Sequence, residues 1–189
     1  MPISGIISFL PFDALPLWAG QLGRYVSQGS RTVVRIGLIS DTHGLLRPEA
    51  KAFLRGSDCI VHGGDIGNAS ILEELATLAP LTAVRGNNDH GAWADALSET
   101  EFLQVGEVLI CVIHDLAQLD IDPAAAGVHA VVSGHSHHPL VDKREGVLYV
   151  NPGSAGPRRF KLPIALGEIT ILDCSVSARI VHLEGRNAT

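Results

Sequence analysis

Five short polar clusters carry the residue types that could do chemistry: Asp41-Thr42-His43, Gly64-Asp65, Gly86-Asn87-Asn88-Asp89, His114, and Gly134-His135-Ser136-His137. Carboxylate, imidazole and amide oxygen make a hard-to-borderline donor set, suited to manganese, iron, zinc or cobalt rather than calcium. Spacings of the Asp-x-His and His-x-His kind let two side chains on a tight turn address one region, and neighbouring glycines allow close backbone approach. Asp41, His43, Asp65, Asn87, His114, His135 and His137 are seven candidate ligands, more than one tetrahedral zinc takes. Sharing a carboxylate between two ions would make a binuclear centre, and the chemistry of such centres is hydrolysis by an activated water.

Each cluster sits directly after an apolar run, which states what must position it. Residues 32–40 read as a buried strand, because β-branched and apolar residues run almost unbroken into a polar turn. Residues 49–56 follow Pro48 as a short helix, 58–65 form a second buried strand, 69–79 form a helix with apolar residues at helical spacing, and 81–89 form a third strand and turn. That order predicts parallel strands joined by crossovers, with the polar clusters at their carboxyl ends, where α/β sheets host ligands. The second half predicts antiparallel pairing: two strands about Gly106-Glu107, a strand in 129–137, a hairpin turning at Glu145-Gly146, and alternating strands in 164–173 and 177–185. The expected architecture is α/β, a mixed sheet or pair of sheets packed between helices.

The 189 residues suit one domain, taken as 31–185, with 1–30 as an N-terminal extension that makes a poor signal peptide because Pro11, Asp13 and Pro16 interrupt it. A net charge of -6 provides no footprint for broad nucleic-acid binding, so an anionic substrate needs local positive charge, which metal ions supply. No apolar run has the length of about 20 residues that spans a bilayer. Cys59, Cys111 and Cys174 are far apart and form no metal-type pair, which fits reduced thiols in the cytoplasm. The oligomeric state stays open, a homo-oligomer included.

These five motifs, in this order, resemble the calcineurin-like metallophosphoesterases, whose pattern is Asp-x-His, Gly-Asp, Gly-Asn-His-Asp/Glu, His-Gly and Gly-His-x-His. The resemblance covers residues 35–183. The short chain, the Gly86-Asn87-Asn88-Asp89 variant and Asn151-Pro152-Gly153-Ser154 are similar to a small bacterial and archaeal phosphodiesterase branch, which is itself similar to the scaffold subunit of the retromer coat. The resemblance implies a β-sandwich flanked by helices with the metal site at strand carboxyl ends. It puts Asp41, His43, Asp65 and His137 around one ion and Asp65, Asn87, His114 and His135 around the other, with Asp65 as bridge. It further implies two divalent ions, manganese first with zinc, nickel, iron or cobalt as alternatives, and a small phosphoester attacked in line by hydroxide. Asp65, Asn87 and His135 are then catalytic as well as ligating. A protein-binding scaffold of the same fold is the rival reading.

Two positions depart from the pattern. Asn88 stands where many relatives have histidine and can donate a hydrogen bond but no proton. Asp115 stands where glycine is usual, with three options: orienting a ligand, binding metal or crowding the site. Asp89 is expected to buttress its own turn, and His62, His90, His129, His138 and His182 to be structural or solvated. Asn151, Gly153 and Ser154 read equally as pocket rim or turn. Arg158, Arg159 and Lys161 read first as a solvated face, second as a phosphate contact.

Overall fold

The computed structural model describes residues 33–159 and 161–183; the extension expected at 1–30 lies outside the described residues. Among the described residues, two five-stranded sheets make up the fold. In the first, β1 (Val33–Ile39), β2 (Cys59–His62) and β3 (Leu81–Ala83) run parallel, and β9 (Ala165–Leu172) and β10 (Ser175–His182) extend the β1 edge antiparallel. The second has the order β4 (Thr100–Val105), β5 (Val108–Ile113), β6 (Ala130–Val132), β8 (Val147–Asn151), β7 (Leu140–Arg144). There β5, β6 and β8 are parallel, and β4 and β7 are hairpin partners on the two edges.

Strand periodicity explains how the layers close. On β5, Val108, Ile110 and Val112 face the space between the sheets, where they join Ile36 and Leu38 of β1, Val61 of β2 and Ile169 and Ile171 of β9. The alternate residues, Leu109, Cys111 and Ile113, face outward. Full burial of an aliphatic side chain, as at Ile36, Leu38, Val61, Ile110 and Ile169, contributes about 1.5–3 kcal/mol. On the outer face of the first sheet lie α1 (Pro48–Leu54) and α2 (Ala69–Ala76), through Ala50, Leu54, Ile71, Leu72 and Leu75. The outer face of the second sheet is covered by a segment carrying Leu116 and Leu119 about a 3-10 turn at Leu116–Gln118 rather than by a long helix. A single-turn helix, α3 (Ala92–Asp95), and that 3-10 turn are too short for a periodic pattern and are absent from the sequence reading.

The end of α1 has a partner that no local motif announces. Arg35 of β1 donates to the carbonyls of Phe53 and Arg55 at 2.7 and 3.1 Å, satisfying carbonyls that a helix end leaves open. Its Nε also donates to buried Glu168 of β9, which Arg179 of β10 holds from the other side at 3.0 Å. All three cysteines are free, and burial, aided by Asp58 and Asp120, pushes the Cys59 and Cys111 thiols up to about 12 and about 11. No helix among the described residues is long and apolar enough to cross a membrane.

Candidate metal centre at the strand ends

The polar clusters follow β1, β2, β3, β5 and β6, so parallel strands in both sheets deliver them to one end of the sandwich. All seven candidate ligands meet there. Asp41 Oδ1 lies 3.2 Å from His137 Nε2 and 4.0 Å from His43 Nε2, and the two histidine nitrogens are 3.4 Å apart. Asp65 reaches both halves of the group, with Oδ2 3.7 Å from His43 Nε2 and Oδ1 3.5 Å from His114 Nε2. Asn87 Oδ1 stands 3.1 Å from His114 Nε2 and 3.0 Å from His135 Nδ1. Asp41, Asp65, His114 and His137 are buried, His43 is half-buried, and Asn87 and His135 face solvent.

Holding these side chains together costs backbone strain. Asp41, His43, Asp65, His135 and His137 all have positive φ, between 45° and 63°. Asp and His enter this region more readily than most residues, yet each such position costs on the order of 1–3 kcal/mol and persists only where its surroundings enforce it. The enforcing bonds are present: Asp41 N–H donates to Gly64 O at 3.0 Å, His43 N–H to Asp65 O at 2.9 Å, and Gly134 N–H to His114 O at 2.9 Å. Close approach is equally demanding. A Cβ on Gly86 would lie 2.1 Å from Asp65 N, and one on Gly134 would lie 2.1 Å from Ser40 Oγ, so neither glycine can carry a side chain without moving the neighbouring turn.

Three features fit a divalent cation. Asp41 Oδ1 is fully buried and accepts no hydrogen bond, although Ser40 Oγ donates to its twin Oδ2 at 2.7 Å; a buried carboxylate oxygen left so is costly unless a cation meets it. The Nε2 atoms of His43 and His137 both face that oxygen. His114 Nδ1 is 2.7 Å from the carbonyl of Gly63, which can only accept, so Nδ1 carries the proton and Nε2 is turned toward Asp65 and Asn87. Burial lowers the His114 pKa, but Asp65 and the Gly63 carbonyl outweigh it and leave it raised. Burial likewise pushes Asp65 up, while hydrogen bonds from His114 and Asn88 hold its carboxyl well below the usual range. For His43, burial lowers the pKa and prevails over the carboxylates. Asp41, His43 and His137 form one set with donor atoms within 4.8 Å of one another, and Asp41, Asp65 and His114 form another.

Several residues act without facing the centre. Asn88 donates to Asp65 from both its backbone and its side chain, at 2.8 and 2.6 Å. The Asp89 carboxylate accepts from Gly86 N–H at 2.9 Å and Gly67 N–H at 2.8 Å, tying together the loops that carry Asn87 and Asp65. Asp115 is turned into its own 3-10 turn, where it accepts from Ala117 N–H at 3.0 Å. Asn151 makes a turn with Gly153 N–H and also donates to the Gly134 carbonyl at 2.6 Å, while Ser154 Oγ donates to the Asp41 carbonyl at 2.9 Å. Both therefore buttress turns that carry candidate ligands, as Ser40 does. His62 is fully buried between Gly64 N–H and Thr42 Oγ1. An open cleft of about 400 Å³ lies beside Asn87 and His114, lined also by Arg85, His90, Asp115 and Gln118.

Strained carboxylate and imidazole turns, gathered where two mixed sheets end, define a metal-binding hydrolase-type fold. The chain belongs to the calcineurin-like phosphoesterase superfamily, whose sequence profile matches residues 34–175. It is 33% identical over 163 residues to a probable metallophosphoesterase of Methanocaldococcus jannaschii, covering 79% of this chain and 81% of that protein. It is 26% identical over 138 residues to a phosphodiesterase of the same organism, covering 64% and 83%. In fold it is similar to Vps29 of Chaetomium thermophilum, with a TM-score of 0.71 at 19% identity over 82% of this chain and 92% of that one.

Proposed function

We propose that this chain is a two-metal phosphodiesterase acting on small phosphoesters. The supporting observation is the buried Asp41 Oδ1, which accepts no hydrogen bond and has histidine nitrogens turned toward it. In this reading Asp41, His43, Asp65 and His137 hold one divalent ion, Asp65, Asn87, His114 and His135 hold the other, and manganese is preferred over zinc, nickel, iron or cobalt. Ions so held supply Lewis-acid charge for the phosphoryl group and an activated water for in-line attack. The chain's own residues set the geometry. Asp65 spans the two groups, and Asn88 fixes its carboxylate at both oxygens. Asn87 and His135, the exposed members, meet the substrate. Asn88 has no proton to give, so esters with good leaving groups, such as aryl phosphodiesters, are cleaved far better than alkyl esters such as cyclic nucleotides.

The same proposal takes 31–185 as one domain with 1–30 as an extension, and a reducing cytoplasm as its setting, which the free cysteines suit. The fold likeness to Vps29 keeps a protein-binding scaffold as the rival. Metal-stripped protein, reloaded with manganese, nickel, zinc or magnesium, should be assayed on an aryl phosphodiester and an aryl phosphomonoester beside Asp65→Ala. Metal-dependent diester hydrolysis lost in the variant supports the proposal. Folded, metal-loaded protein inert on both esters favours the scaffold.

A further inference from the structure

The loop after β8 crosses the mouth of the site on anchored backbone. Ala155 N–H donates to Ser40 O at 3.0 Å and Gly156 N–H to Asp41 O at 3.2 Å. The loop lies so close that a Cβ on Gly156 would sit 2.3 Å from Thr42 O. From the other side, Arg47 Nε and Nη2 donate to the Gly156 carbonyl at 3.4 and 3.1 Å, and Leu162 N–H closes a turn on Arg159 O at 3.2 Å. Arg159 is exposed, and its Nη2 reaches to 3.4 Å from His43 Nε2.

A guanidinium can only donate, so this contact requires a lone pair on His43 Nε2. In the phosphoesterase reading that lone pair belongs to a cation, and a guanidinium, itself a cation, is then repelled from it. The group that fits between two positive charges is an anion, and the planar fork of arginine matches phosphoryl oxygens. We propose that Arg159 binds a non-bridging oxygen of the substrate's phosphoryl group at the His43 side of the centre, an inference that rests on the phosphoesterase reading. The backbone leading to Arg159 is tied to Ser40 and Asp41 through Ala155 and Gly156, and the turn that follows closes on Arg159 O, so the chain that presents this side chain is already held. The non-bridging oxygen it contacts is present in bound substrate and in transition state alike, so the contact acts on KM more than on kcat.

Inorganic phosphate is the probe, titrated calorimetrically into metal-loaded wild type, Arg159→Ala, Arg159→Lys and, as a control far from the site, Lys143→Ala. Bound metal and melting temperature are measured on each protein. Loss of one charge-assisted contact should weaken phosphate about 10- to 100-fold in Arg159→Ala, with partial recovery in Arg159→Lys and none of this in Lys143→Ala. On an aryl phosphodiester, Arg159→Ala should raise KM with kcat within about threefold. Wild-type phosphate affinity in a folded, metal-loaded Arg159→Ala overturns the inference, as does a wild type that binds no phosphate. Absence of hydrolysis by wild type with undiminished, Arg159-dependent phosphate binding overturns the catalytic reading instead.

Discussion

Asn88 grips both oxygens of Asp65: its backbone N–H donates to Oδ1 at 2.8 Å and its side-chain amide to Oδ2 at 2.6 Å. Asn88 thus spends its side chain on orienting a carboxylate. Asn88→Ala should leave the fold intact, because Asn88 is exposed, while lowering metal affinity or activity about 10- to 100-fold, the usual loss when a ligand's supporting partner goes. Metal titration and aryl-diester kinetics check this; an unchanged variant removes Asn88 from the site's support.

Asn88→His tests the chemistry of the same position. Imidazole restores a group that can protonate a departing alkoxide, worth about 10²–10⁴-fold where it is used. The ratio of alkyl- to aryl-diester rates should rise in this variant. A ratio that stays fixed while both rates fall would mean that the position matters only through Asp65.

Removing the Asp65 carboxylate is a harsher change. Asp65→Ala should abolish metal-dependent hydrolysis, a loss of at least about 100-fold, since even supporting partners are worth that much. Metal analysis of the purified variant should show fewer ions per chain than wild type. Retention of the full complement with activity intact would sink the shared-ligand geometry.

The strands were legible because their burial is periodic. Val108, Ile110 and Val112 face inward and Leu109, Cys111 and Ile113 outward, and the hairpin at Glu145-Gly146 follows from its turn residues. The seven polar side chains could be listed because each directly follows such a strand, and they do meet at one end of the sandwich. What the sequence hides is the support between them. Arg35 capping α1 from a neighbouring strand, Asn151 holding the Gly134 carbonyl, and Ser154 holding the Asp41 carbonyl are contacts across long stretches of chain, for which no local pattern exists. Asp115 shows a different limit: a carboxylate beside His114 is in place for metal, yet its oxygen goes to Ala117 N–H in the 3-10 turn, a local bond that competes with any ligand role.

Glu168 sits between Arg35 and Arg179, with 8% of its side chain exposed. Burial pushes its carboxyl up, but hydrogen bonds from Arg179 and Arg35 prevail and its pKa is lowered from 4.5. A depressed carboxylate stabilises the fold above its unfolded pKa, and that contribution is lost as pH falls through the folded value. Glu168→Gln should cost about 1–3 kcal/mol in urea unfolding at pH 7, with the difference from wild type shrinking below pH 4.5. A pH-independent difference would assign the loss to packing.

His62 should dominate a higher window. Gly64 N–H donates to its Nδ1 at 3.2 Å, which places the ring proton on Nε2; that proton goes to Thr42 Oγ1 at 3.0 Å, and Thr42 in turn donates to Ile66 O at 2.9 Å. Every polar atom in this buried chain is used in one direction, and only the neutral ring permits it. Burial accordingly pushes its pKa down from 6.5 to about 4, against the pull of Asp89 and Asp41. The unfolded chain therefore takes up a proton between these values while the native chain does not, so stability falls as pH drops from 6.5 toward 4, by up to about 3 kcal/mol. His62→Gln, which does not titrate, should be less stable than wild type at pH 7 but lose less between pH 6.5 and 4.5, above the range where Glu168 acts. Parallel pH profiles of wild type and variant in that interval would show that His62 is protonated in the native protein and that the directed chain is wrong.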